Sequence, residues 1–169
     1  MRFFEGHPTA EVSAVFTNKR TAGVIDKTLN ARVAVQYFNR SDFYETDRVI
    51  ELVKQYNPSI IVLAGFLWLV PASFIHAFEG RIINLHPSLL PKYGGKGMYG
   101  HFVHEAVINA GETESGITIH KVNAEFDKGE IVFQASCAVS EHETPDSLAG
   151  KIHTLEHENL PKTIEKLLL

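Results

Sequence analysis

Asn84 and His86 stand two residues apart at the end of a short apolar run that Ile82 and Ile83 begin. Such a run, stopped by Pro87 and Pro91, reads as a buried strand that ends at a loop. Side chains alternate between faces along a strand, so Asn84 and His86 point the same way. The amide of one offers an N–H donor, and the imidazole of the other exchanges a proton near neutral pH. Together they have the chemistry to stabilise an oxygen that gains negative charge during attack on a carbonyl. A histidine at a strand end is equally often a structural hydrogen-bonding residue, so the pair needs support from elsewhere in the chain. Asp127, in Glu125-Phe126-Asp127-Lys128-Gly129, reads locally as a turn aspartate before glycine. His120, in Thr118-Ile119-His120, reads locally as a packed strand residue.

Other motifs carry less. Gly95, Gly97 and Gly100 have the spacing of a dinucleotide fingerprint, but eight residues, Pro87 to Gly94, separate the strand from the first glycine. That fingerprint needs a strand running straight into a helix, so Gly94–Gly100 reads as a mobile loop. His101 with His104, and His153 with His157, are each one helical turn apart without a further ligand at zinc-site spacing, so no metal is expected. No Gly-x-Ser-x-Gly elbow is present.

The elements that position these residues follow from hydrophobic pattern and punctuation. Strands are expected at Val12–Thr17, Val33–Phe38, Ile60–Ala64, Arg81–His86, Gly116–Val122 and Ile131–Val139, the last two pairing antiparallel. Helices are expected at 21–29, from Asp42 to Tyr56, from Pro71 to Phe78, at His101–Ala110, and from Thr144 to the C-terminus with a disturbance at Pro161. The run Ile60–Ala64, apolar on both faces, fits a doubly buried parallel strand. Alternating strands and helices with short connections imply an α/β domain with a mostly parallel sheet, whose ligands bind beyond the carboxyl ends of the strands. With 169 residues the chain reads as one domain with its own core. A net charge of −4 gives nucleic acid no basic footprint, and the single cysteine, Cys137, fits a reducing cytoplasm. The apolar run near Ile60–Val70 is too short to span a membrane, and the N-terminus lacks a signal-peptide pattern.

Taken in order, Val62-Leu63-Ala64-Gly65-Phe66, Asn84-Leu85-His86-Pro87-Ser88-Leu89-Leu90-Pro91-Lys92-Tyr93 and Phe126-Asp127-Lys128-Gly129 resemble the 10-formyltetrahydrofolate-dependent formyltransferases. The resemblance covers essentially the whole chain and implies a Rossmann-like twisted sheet flanked by helices. Within that superfamily the chain looks most like the branch that formylates glycinamide ribonucleotide. Gly94-Gly95-Lys96-Gly97 follows the Leu-Leu-Pro block in place of the Arg-Gly-Ala-Ala-Pro type loop of the methionyl-tRNA branch. Thr118-x-His120 and Glu156-His157 also resemble the glycinamide ribonucleotide branch.

The resemblance implies 10-formyltetrahydrofolate as co-substrate and small molecules alone as ligands, on a monomer or homodimer. Asn84, His86 and Asp127 would be catalytic: Asn84 as donor to the developing oxyanion, His86 as the proton carrier, and Asp127 as its charged partner. Leu67, Trp68, Leu69 and Val70 would line the pterin pocket, with Phe126 packing beside it and Asn84 reaching the folate. Glu156 would contact the substrate amine, and Thr118 and His120 would shape the loop that carries Asp127. The family opens with a strand and a Gly-Ser-Gly loop whose amides hold phosphate. Met1-Arg2-Phe3-Phe4 instead resembles the end of the following helix, so a truncated chain without its first strand and phosphate loop is expected. Transfer to another amine or to water, and an inactive folate-binding chain, are the alternative readings.

Overall fold

The computed structural model describes residues 1–169. Two compact units are present, Met1–Ser59 and Ile60–Leu167. In the first, β1 (Ala14–Thr17) and β2 (Ala34–Tyr37) pair in parallel, with Ala14 opposite Ala34 and Thr17 opposite Tyr37. Parallel neighbours need a crossover, which α1 (Val24–Ala31) supplies.

The single helix expected from Asp42 to Tyr56 is instead two, α2 (Arg40–Tyr44) and α3 (Arg48–Gln55). Asn39 is the N-cap of α2. Its Oδ1 accepts from the Asp42 N–H at 2.9 Å, and its own N–H donates to Asp42 Oδ2 at 3.0 Å, a reciprocal capping box. The break falls where Ser41 Oγ donates to Glu45 and Thr46 Oγ1 donates to the Asp42 carbonyl, local side-chain bonds that compete with helix propagation. On α3 the residues Val49, Ile50 and Val53 are buried, the apolar stripe that the sequence pattern predicts.

The second unit holds a four-stranded sheet in the order β3 (Ile61–Ala64), β4 (Ile82–His86), β5 (Glu114–Lys121), β6 (Ile131–Ala138). β3 and β4 are parallel, and β5 and β6 add antiparallel, as expected for the last two strands. Four of the six strands therefore lie in parallel pairs, giving an α/β fold. β3 is only half-buried and its Ala64 is exposed, because it stands at the edge of this sheet. The doubly buried position belongs to β4, where Ile82 and Ile83 are each 2% exposed.

Three helices belong to this unit: α4 (Ala72–Ala77), α5 (His101–Asn109) and α6 (Pro145–Leu168). Val103 and Val107 of α5, Ile117 of β5, and Leu148 and Ile152 of α6 form the buried cluster that joins helices to strands. Burying an aliphatic side chain of this kind contributes about 1.5–3 kcal/mol. Thr144 caps α6 with Pro145 in the first turn, its Oγ1 accepting from the Ser147 N–H at 3.2 Å. Pro161 does not end this helix, which runs its full 24 residues. The proline removes one backbone donor, and burial of Leu148, Ile152 and Thr163 holds the rest of the helix in place.

Candidate active site

The β4–β5 register puts Asn84 opposite His120 and His86 opposite Thr118. Cross-strand pairing is thus what brings Asn84 Nδ2 to 3.1 Å from His120 Nε2. His120 Nδ1 lies 2.8 Å from the Lys121 carbonyl, which only accepts, so Nδ1 carries the hydrogen. Nε2 is left facing both the Asn84 amide and the Asp127 carboxylate.

Asp127 reaches the same point from the loop between β5 and β6. Its backbone is left-handed, φ 55°, a conformation that a short polar side chain tolerates. Two residues on, a Cβ at Gly129 would lie 1.7 Å from the Lys121 carbonyl, so only glycine lets the loop return this closely to β5. Asp127 Oδ2 accepts from the Gly95 N–H at 2.8 Å. Its Oδ1 lies 3.4 Å from Asn84 Nδ2 and 3.5 Å from both His86 Nδ1 and His120 Nε2. The turn aspartate of the sequence is therefore the carboxylate on which Asn84, His86 and His120 converge.

His86 is buried at 4% exposure. Its Nε2 lies 2.8 Å from the Tyr93 carbonyl, so Nε2 carries a hydrogen and donates. Nδ1 is left as the nitrogen that can gain or release a proton, and it faces Asp127. Burial pulls the imidazole below its ordinary value; Asp127 and the Tyr93 carbonyl oppose this without reversing it, and His120 adds to the lowering. Burial on its own raises the Asp127 carboxyl; contact with His120, the Gly95 N–H and His86 more than reverse this and leave it below the usual range. The result is an ionised carboxylate beside an imidazole whose proton affinity is set by opposing effects.

Thr118 hydrogen-bonds to the segment after His86 and to β6 rather than to the Asp127 loop. It is fully buried, and its Oγ1 donates to the Ser88 carbonyl at 2.6 Å. The same oxygen accepts from the Leu90 N–H at 3.0 Å and from Gln134 Nε2 at 2.9 Å. Gln134 also donates to the Leu90 carbonyl at 3.0 Å, so Thr118 and Gln134 brace the segment that follows His86. The sequence assigns no site role to Ser88, Tyr93, Gly95 or Gln134. Two of them act through backbone groups, which leave no residue signature, and Ser88 and Gln134 are ordinary polar residues until the fold pairs them.

Above Asn84, His120 and Asp127 lies a small cavity of about 50 Å³, walled by Leu63, Phe66, Trp68, Leu69, Val70 and Phe126 among others. Trp68 packs edge-to-face on Phe66, ring centroids 6.0 Å apart. Four of the five residues expected at the pterin pocket are in this wall, and Leu67, 43% exposed, is not. Glu156 is half-buried on α6. Burial raises its carboxyl above the ordinary value and His153 and His157 oppose this; no interaction ties it to the His86 cluster.

The chain that carries this site has named relatives. The family model described as formyl transferase matches residues 2–164. The chain belongs to the formyl transferase family. It is 36% identical over 158 residues to the chloroplastic phosphoribosylglycinamide formyltransferase of Arabidopsis thaliana, covering 90% of this chain and 54% of that one. The Escherichia coli phosphoribosylglycinamide formyltransferase is 32% identical, covering 90% of this chain and 72% of its own length. The chain thus spans about half the length of the plant relative. Among solved structures, the phosphoribosylglycinamide formyltransferase of Bacillus halodurans superposes with a TM-score of 0.84 at 32% identity, over 94% of this chain and 81% of that chain. That of Anaplasma phagocytophilum gives a TM-score of 0.90 at 27% identity, over 99% and 78%. These likenesses fix the α/β fold class of this family member.

Proposed function

We propose that this chain, as one domain over residues 1–169, transfers a formyl group from 10-formyltetrahydrofolate to the amine of glycinamide ribonucleotide, in purine biosynthesis and in a cytoplasmic setting. The observation that carries the reading is the position of Asp127 Oδ1, within 3.4–3.5 Å of Asn84, His86 and His120. The names of the relatives above support the substrate class.

The residues fit a flat, partly polar heterocycle: aromatic and aliphatic walls stand over a floor with an amide and a carboxylate. 10-Formyltetrahydrofolate supplies the formyl carbon and its oxygen. Asn84 donates to that oxygen as it gains negative charge, exchanging its long 3.4 Å contact with Asp127 for a shorter one. The substrate amine attacks the formyl carbon; the proton it sheds is taken up at His86 Nδ1, the nitrogen facing Asp127, and passed to the folate nitrogen as its bond to the formyl carbon breaks. Asp127 favours that protonated ring by its charge and is itself fixed by the Gly95 N–H. His120 keeps the Asn84 amide turned to present its hydrogens. Glu156 is assigned to the substrate amine on the strength of the resemblance.

The test is formyl transfer to glycinamide ribonucleotide, followed by release of tetrahydrofolate, in the wild-type chain and in Asp127→Asn. Folate product formed equally with and without glycinamide ribonucleotide would move the reading to transfer onto water. Near-normal turnover in Asp127→Asn would sink the assigned site.

A further inference from the structure

We propose that Glu112, in the turn between α5 and β5, is a positioning residue for His86 that acts through Tyr93. The inference rests on His86 being the proton carrier assigned above. Glu112 grips the segment after the Leu-Leu-Pro block with three hydrogen bonds. Lys92 Nζ donates to its two oxygens at 2.9 and 3.1 Å, and the Tyr93 phenol donates to Oε1 at 2.9 Å. An exposed lysine–glutamate pair alone contributes little. The phenol makes this one different, because the other end of the same residue is the carbonyl that takes the His86 Nε2 hydrogen at 2.8 Å.

Tyr93 also needs holding. Its φ is 55°, left-handed, a conformation that an L residue with a Cβ adopts only under strain. Such strain persists where the surroundings over-determine it, and it clusters at functional positions. Two anchors over-determine this residue. Fully buried Ser88 donates Oγ to the Lys92 carbonyl at 2.7 Å and lies 3.5 Å from the Tyr93 carbonyl oxygen. Glu112 pins the side chain from the opposite end.

The consequence for His86 follows from its two nitrogens. Which nitrogen carries the hydrogen is set by the bond the other one makes. As long as the Tyr93 carbonyl is aimed at Nε2, Nδ1 is reserved for the exchangeable proton facing Asp127. If Tyr93 relaxes, the carbonyl turns, Nε2 loses its acceptor, and the ring divides between tautomers. The other charged and titratable groups acting on the ring are Asp127, from the loop between β5 and β6, and His120 on β5. Substituting Glu112 touches neither.

Glu112→Ala and Tyr93→Phe separate this role from a merely structural one. Long-range proton–nitrogen NMR of the free, full chain reads the His86 tautomer and its titration. In both variants the Nε2–H form loses population and the His86 midpoint moves down, because the protonated ring loses a carbonyl acceptor. In formyl transfer, kcat falls about tenfold with KM for both substrates within about twofold, a fraction of what a positioned acid–base group is worth. Glu112→Gln, which still accepts from the phenol, recovers most of the loss. An unchanged His86 spectrum and titration in both Glu112→Ala and Tyr93→Phe would overturn the proposal. So would a kcat loss accompanied by a lower Tm while His86 stays as in the wild type. If His86 responds as described and the wild-type chain transfers no formyl group, the positioning role stands and the proposed function falls.

Discussion

His86 and His104 are buried to nearly the same extent, 4% and 3% exposed, and burial pulls both imidazoles below their ordinary value. They differ in company. His86 has a backbone carbonyl on Nε2 and a carboxylate facing Nδ1. His104, on α5, has an Nδ1 with no hydrogen-bond partner, and the charges acting on it, His153 and His101, are like charges that lower it further. Burial thus makes a histidine reluctant to charge, and only a placed counter-charge turns that reluctance into a usable proton site. The same contrast separates a group that can do chemistry from one that fills space on a helix.

The sharpest way to break the contrast is to remove the counter-charge. Asp127→Asn keeps the volume and the acceptor for Gly95 but takes away the charge facing His86. Turnover is expected to fall about 10³-fold, in the range a positioned acid–base pair supplies, with folding retained. Steady-state kinetics beside a thermal melt checks this, and a drop below about tenfold would make His86 resemble His104. Asn84→Ala comes next. It removes the donor to the developing charge, with an expected loss of about 3 kcal/mol of transition-state stabilisation, or about 10²-fold in kcat. A change confined to KM would instead place Asn84 in ground-state binding.

Thr118→Val tests the bracing around His86 and is read in stability. The isosteric change strips one donated and two accepted hydrogen bonds from a fully buried site and leaves the Ser88 carbonyl, the Leu90 N–H and Gln134 Nε2 short of a partner. Unfolding in urea should show a loss of about 2–3 kcal/mol. A loss under about 0.5 kcal/mol would mean that the segment after His86 is held by something else.

These effects map onto what could be read before the fold was known. Asn84 and His86 were legible because strand periodicity puts both on one face and a proline-rich stop ends the strand. The antiparallel β5–β6 pair and the Thr144-Pro145 start of α6 were legible because hydrophobic pattern and cap chemistry are local. Asp127 was not legible from its neighbours: a left-handed residue before glycine looks the same whether its carboxylate faces water or two histidines. The split between α2 and α3 was missed because Ser41, Asp42 and Thr46 bond locally, and an apolar stripe does not register such competition. β3 was over-read as doubly buried, since an apolar run reports hydrophobicity and not the strand's place in the sheet order. Tyr93 and Gly95 act through a carbonyl and an amide, which every residue has.

His104 supplies the smallest effect and the cleanest pH test. Its value in the folded chain lies below the ordinary 6.5, so between the two the unfolded chain binds a proton that the folded chain refuses. Folding stability therefore falls as pH drops from about 6.5 through the folded-state value and levels off below it, when both states are charged. His86 contributes in the same direction, with its ring likewise lowered by burial. His104→Leu removes one of these two contributions and the unpartnered Nδ1 with it. At pH 7.5 the variant is expected to be about 1 kcal/mol more stable, the cost of a buried polar group without a partner. Between pH 7.5 and pH 5 it should lose less stability than the wild type, while its formyl-transfer kinetics stay the same at pH 7.5. Equal acid sensitivity in the two proteins would show that His104 titrates as freely as an exposed histidine, and the slope would then belong to His86.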